Sequence, residues 1–169
     1  MQKKLYVLYI LVLAALVTWF IACSGGKYGT VKHAEMTPIT HNELRITDAY
    51  ARASSPTAKV GAIFFMIENG TDNDVHLSAA ESDVAMKVEL HTHKESADGV
   101  MSMVQIEGGV QVEAGHRSHF KRGGNHVMLM GLNQSLKTGD TVEIELIFDG
   151  EDKAVTVTVD NERKAKMSH

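Results

Sequence analysis

From Glu43 onward the chain is cut into ten short runs separated by turn signals, and this texture excludes most architectures. The runs are residues 45–51, 61–68, 75–79, 86–92, 101–106, 109–112, 118–121, 126–130, 141–148 and 154–159. Alternation with a period of two sends neighbouring side chains to opposite faces of a strand. It is cleanest in the last two runs, where Val142, Ile144, Leu146 and Phe148 share one face and Val155, Val157 and Val159 share another. Asn69-Gly70, Asp98-Gly99, Gly108-Gly109, Gly123-Gly124 and Asp149-Gly150 mark the turns, with a hairpin expected at Asp149-Gly150. No stretch sustains a helical period. Many short strands at near-regular spacing predict an all-β fold, an antiparallel sandwich or barrel.

The N-terminus carries a different signal. Met1-Gln2-Lys3-Lys4 is basic, Leu5 to Ala22 is almost wholly apolar, and Phe20-Ile21-Ala22-Cys23 closes the segment. A basic start, an apolar core and a small residue before the cleavage point make a secretory signal over residues 1–22. Cys23, the single cysteine, directly follows that small residue, so the segment resembles a bacterial lipobox, with Phe20 in place of the usual leucine. The resemblance implies cleavage before Cys23 and lipid on its sulfur and new amino group. The alternative is an uncleaved anchor, since about 18 apolar residues can span a bilayer. Both place the folded part outside the cytoplasm, at a membrane.

Residues 23–42 read as a flexible tether rich in Gly, Ser, Thr and Lys, in which His33, Met36 and His41 are candidates for no more than accessory roles. Residues 43–160 make one domain, and the polar residues 161–169 are expected to fray. One cysteine forms no intrachain disulfide, so the fold rests on its core. Removing residues 1–22 takes away two lysines and leaves 15 basic against 21 acidic residues, a charge of −6. That acidity argues against nucleic acid as a partner.

Five of the nine histidines and four of the nine methionines fall between His91 and Met130. His91, Met103, His126 and Met128 lie beside turns, and His126 and Met128, two apart, reach from one strand face. Thioether sulfur binds Cu(I) and hardly touches hard cations, while imidazole suits copper as well. Taken singly, methionines are more often core fillers, and Met130 reads as core. Together, two His and two Met point to a copper(I) site.

The spacing His91-x11-Met103-x22-His126-x-Met128 resembles the H(M)-x10-M-x21-H-x-M signature of the periplasmic copper chaperones called PCu(A)C. Ile46-Thr-Asp-Ala-Tyr-Ala-Arg52, Gly61-Ala-Ile-Phe-Phe65 and Gly123-Gly-Asn-His-Val-Met-Leu-Met-Gly-Leu132 agree with it, and the likeness covers about residues 45–160. It implies a cupredoxin-like Greek-key antiparallel β-barrel or sandwich and a Cu(I) ligand set of His91, Met103, His126 and Met128. Thr92 stands where the bracketed methionine would be, and the Met103–His126 interval is 22 residues where the signature has 21. Met101 is the substitute ligand if that insertion shifts the register, and His93 is a further accessory candidate.

The role implied is a monomeric, lipid-anchored, extracytoplasmic copper chaperone on the periplasmic side. It would deliver copper to an acceptor protein of cytochrome c oxidase assembly. No enzymatic constellation is present: there is no Ser-His-Asp order and no glycine-rich phosphate loop. A blue-copper electron carrier needs a cysteine ligand, and Cys23 is committed to the lipobox. A copper-scavenging or resistance lipoprotein and a structural β-sandwich lipoprotein without metal remain the alternatives.

Overall fold

The computed structural model describes residue 39 and residues 41–164. The signal segment, Cys23, His33, Met36 and residues 165–169 lie outside the described residues. Among those described, no helix is long and apolar enough to cross a membrane.

Each of the ten alternating runs is a strand. In chain order they are β1 (Leu44–Ala53), β2 (Val60–Asn69), β3 (Val75–Glu81), β4 (Ala85–Glu95), β5 (Met101–Gln105), β6 (Val110–Val112), β7 (Arg117–Phe120), β8 (His126–Leu132), β9 (Thr141–Phe148) and β10 (Lys153–Val159). They form a continuous sheet in the order β5-β4-β8-β2-β1-β10-β9-β3-β6, with β7 also on β2. Leu90 of β4, Val127 and Leu129 of β8, Leu77 of β3 and Val112 of β6 all belong to one buried cluster. Distant parts of the path therefore share a core, and the sheet folds over itself as a sandwich. The β9 alternation holds throughout: Val142, Ile144, Leu146 and Phe148 are all buried.

The topology departs from a purely antiparallel sheet at one pairing. β1 runs parallel to β10, with Tyr50 opposite Thr158 and Ala51 opposite Val159. A period-two pattern reports which face a residue occupies and carries nothing about the direction of its neighbour.

Two irregularities set up the outer face. β1 gains one residue relative to β2 between Thr47 and Tyr50. Asp48 there has φ 55°, the one non-glycine residue with positive φ among the described residues. Such a bulge reverses the alternation, so Ala51 and Ala53 enter the core while Tyr50 and Arg52 face outward. β7 and β8 both pair antiparallel with β2, on Phe65–Glu68 and Val60–Ile63 respectively. They make one interrupted line along β2, and the loop 121–125 that contains Gly123-Gly124 is a break within it.

Both ends of the domain are tied down further than the sequence predicts. His41, placed in the tether, donates from Nδ1 to the Glu43 carbonyl and meets the Glu68 carboxylate at 3.2 Å through Nε2. The frayed tail expected from residue 161 is corrected for its first residues. Asn161 accepts from the Ala53 N–H at 2.8 Å and donates to the Leu136 carbonyl at 2.9 Å. Arg163 stacks over the Tyr50 ring at 4.1 Å and pairs with Asp48. Polar residues looked frayed because their partners, Ala53, Leu136 and Tyr50, are remote in sequence.

Candidate metal centre

β8 is amphipathic in the period-two sense. Val127 and Leu129 are fully buried in the core, so His126, Met128 and Met130 point to the opposite, outer face. The pairing with β4 sets His126 opposite His91, Met128 opposite Glu89, and Met130 opposite Lys87. On the other side of β4, Met103 of β5 lies opposite His93 and Met101 opposite Glu95. Directly opposed residues share a face in an antiparallel pair. The register therefore gathers His91, His93, Met103, His126 and Met128 on one face, outside the sandwich core.

His126 is 3% exposed despite facing outward. Phe64 lies beside it with ring centroids 6.0 Å apart, and Tyr50 stacks on Phe64 at 5.0 Å. These two aromatic rings are buried but stand apart from the main core. The His126 Nδ1–H donates to the Gly124 carbonyl at 2.9 Å, which leaves the lone pair on Nε2. Burial pushes the His126 imidazolium pKa below its ordinary value, and His93 and His91 push it the same way against the Gly124 hydrogen bond. The ring is therefore held neutral, the form that binds a metal.

His91 is fixed from its other side. Its Nε2–H donates to the Glu89 carboxylate at 2.9 Å, and Glu89 also pairs with Lys87. The His91 hydrogen bond, then that of Lys87, hold the Glu89 carboxyl below its ordinary pKa, so it stays ionised. The remaining His91 nitrogen, Nδ1, is buried with no hydrogen-bond partner. A buried polar atom without a partner is uncommon and calls for an explanation. A carboxylate on one imidazole nitrogen with the other left bare is the usual arrangement behind a metal-binding histidine. The His91 and His126 rings lie 6.0 Å apart, and His93 lies 5.3 Å from His126.

Met103, His126 and Met128 line one shallow depression of about 310 Å3, together with Arg52 and Arg122. Met103 is 52% exposed and Met101 54%, yet Met101 lies a further step toward the hairpin tip and does not line the depression. Met130 is corrected: it shares the outer face with Met128, is half-buried, and packs between Lys87 and Val60 instead of in the core. The strand does not run inward past Met128, because Leu129 already fills the core side. Among the described residues no group of three or more His, Cys, Asp or Glu is placed to hold a metal. Glu89 escaped the sequence reading, although its position two residues before His91 on one strand face was the available signal. The Gly124 carbonyl left none.

The family described as "Putative lipoprotein LpqE-like" matches residues 44–160. A relative from Leifsonia xyli subsp. xyli, "Putative lipoprotein Lxx21020", is 28% identical over 117 residues, covering 69% of each chain. The solution structure of apo-DR1885 from Deinococcus radiodurans superposes with a TM-score of 0.56 at 28% identity, covering 81% of this chain and 91% of that one. The copper-bound PCuAC domain from PmoF2 gives 0.59 at 18% identity, covering 75% and 99%. These solved domains share the all-β, cupredoxin-like sandwich. With the family match spanning nearly the whole domain, the chain belongs to the LpqE-like lipoprotein family.

Proposed function

We propose that the protein is a lipid-anchored, extracytoplasmic copper(I) chaperone whose cargo ion is held by His91, Met103, His126 and Met128. The observation that carries this is the pair of prepared imidazoles. The Gly124 carbonyl and the Glu89 carboxylate each occupy one ring nitrogen, leaving His126 Nε2 and the buried His91 Nδ1 as donors. The thioethers of Met103 and Met128 complete a soft set that favours Cu(I) over Cu(II) or Zn(II). The likeness in fold to the copper-bound PCuAC domain from PmoF2 supports copper as the cargo. Such a site needs no catalytic step: it binds, shields and hands over an ion.

Delivery to a copper-acceptor protein of cytochrome c oxidase assembly is the physiological role we assign, with the lipid on Cys23 holding the domain at the membrane. The test is X-ray absorption on the Cu(I)-loaded protein. The expected first shell contains two sulfur and two nitrogen donors, and a shell without sulfur overturns the assignment. Deleting the gene should lower oxidase copper content. Unchanged oxidase with lowered copper tolerance would instead assign a resistance role.

A further inference from the structure

The rim of the depression carries charge of the opposite sign to the chain. Arg52 reaches the outer face through the β1 bulge and stands in the cross-strand row Arg52–Ala62–Met128. Arg122 lies in the loop between β7 and β8. Both line the depression with Met103, His126 and Met128. Neither makes an ion pair among the described residues, whereas Arg163 is paired with Asp48. Arg122 also lines the adjoining hollow with Lys121 and Lys164, where Asp48 offsets Arg163, so positive charge continues past the site. On the site's own face the Glu89 carboxylate is occupied by Lys87 and His91, and a cluster of acids, Glu81, Asp83, Glu143 and Glu145, lines a separate hollow along β3, the turn after it and β9.

We propose that Arg52 and Arg122, flanking the thioether edge of the depression, form a docking surface for an acidic copper-accepting protein. This rests on the copper reading given above. Guanidinium groups pair with carboxylates through two parallel hydrogen bonds. At physiological salt fields die away within about 8 Å, so the local rim governs docking and the net negative charge does not. Exposed Val60 and Met103 supply apolar contact between the charges. Transfer of a soft ion requires soft donor atoms of the recipient to enter the depression, and a protein supplies thioether or thiolate sulfur that a phospholipid headgroup lacks. Bound Cu(I) adds one positive charge at the rim, so the loaded protein attracts an acidic acceptor more strongly than the empty one does.

The experiment uses the full chain in phosphatidylcholine nanodiscs, loaded with Cu(I). Two synthetic acceptor peptides share one Met-x-x-Met core, flanked by aspartates in one and by lysines in the other. At low salt the aspartate peptide should take copper roughly tenfold faster, and the advantage should collapse at about 0.5 M salt. The double variant Arg52→Glu, Arg122→Glu should reverse the preference, with its Cu(I) affinity measured by chelator competition and transfer rates compared at equal copper loading. Equal rates for the two peptides in the wild type, or an unchanged preference in the variant, overturn the proposal. If phosphatidylglycerol nanodiscs suppress transfer to the aspartate peptide and the variant relieves this, the rim faces lipid and the proposal is also overturned. Should the wild type bind no Cu(I), the site reading itself fails. Anisotropy with the copper-free protein then decides the surface alone: selective binding of the aspartate peptide, lost in the variant, supports it, and no selectivity overturns it.

Discussion

Two histidines on neighbouring strands, one almost fully buried and one pinned by a carboxylate, carry the chemistry at the residue scale. Glu89 lies outside the proposed ligand set but holds the His91 ring through Nε2, and the bare Nδ1 is buried. Replacing it with glutamine keeps the shape and removes the charge. Glu89→Gln should therefore weaken Cu(I) binding by about 10–100-fold, the usual effect of losing such a supporting contact. Competition against a Cu(I) chelator reads this, and an unchanged affinity would free His91 from Glu89. His126 makes the metal-free domain sensitive to acid. Its folded pKa lies below the unfolded value of 6.5 because burial disfavours the charged ring. As pH falls below 6.5 the unfolded chain takes up a proton that the folded chain does not, so stability is present above that pH and lost below it. Thermal unfolding between pH 7.5 and pH 5.5 should show a falling midpoint, and His126→Gln should flatten that slope.

At the scale of the element, β8 is the working part, because one strand serves core and site on alternate residues. Leu129 is fully buried, and Leu129→Ala should cost roughly 2–5 kcal/mol of stability, the range for truncating a core leucine. Met130 is half-buried on the other face, and Met130→Ala should cost about 1 kcal/mol or less, as at other sites outside the core. Denaturant titration of the two variants settles which face is inside; equal losses would return Met130 to the core. The β4–β5 hairpin makes a second contrast. Met103 lines the depression while Met101 lies nearer the tip. Met103→Ala should therefore weaken Cu(I) binding by about tenfold or more, and Met101→Ala should change it little. The Asp98-Gly99 turn fixes this register, with Gly99 at φ 77°, a conformation glycine adopts without steric cost.

For the whole molecule, the distribution of charge matters more than its total. An acidic chain presents an arginine rim around its thioethers and confines an acid cluster to β3 and β9. Tethering belongs at this scale too. The matched family is described as "Putative lipoprotein LpqE-like", and Phe20-Ile21-Ala22-Cys23 predicts Cys23 as the place of lipid attachment. Mass spectrometry of the protein extracted from membranes should find Cys23 as the modified N-terminal residue. An intact Met1 terminus would replace the lipid anchor with the apolar segment itself.

Much of the fold was legible in the chain, because strand formation here is local. Alternation and glycine turns marked all ten strands, and the buried face of β9 followed from a period of two. The candidate donor types were equally plain as side-chain chemistry, since softness belongs to the side chain wherever it sits. Only the tertiary structure decided what depends on strands far apart in sequence. It turned β1 parallel to β10, set Met130 on the outer face, and anchored Asn161 and Arg163 on residues about a hundred positions earlier. It also decided which nitrogen of each histidine is bare. That choice is made by the Gly124 carbonyl and by the pairing of β4 with β8, and a hydrogen bond exists only where folding brings donor and acceptor within reach.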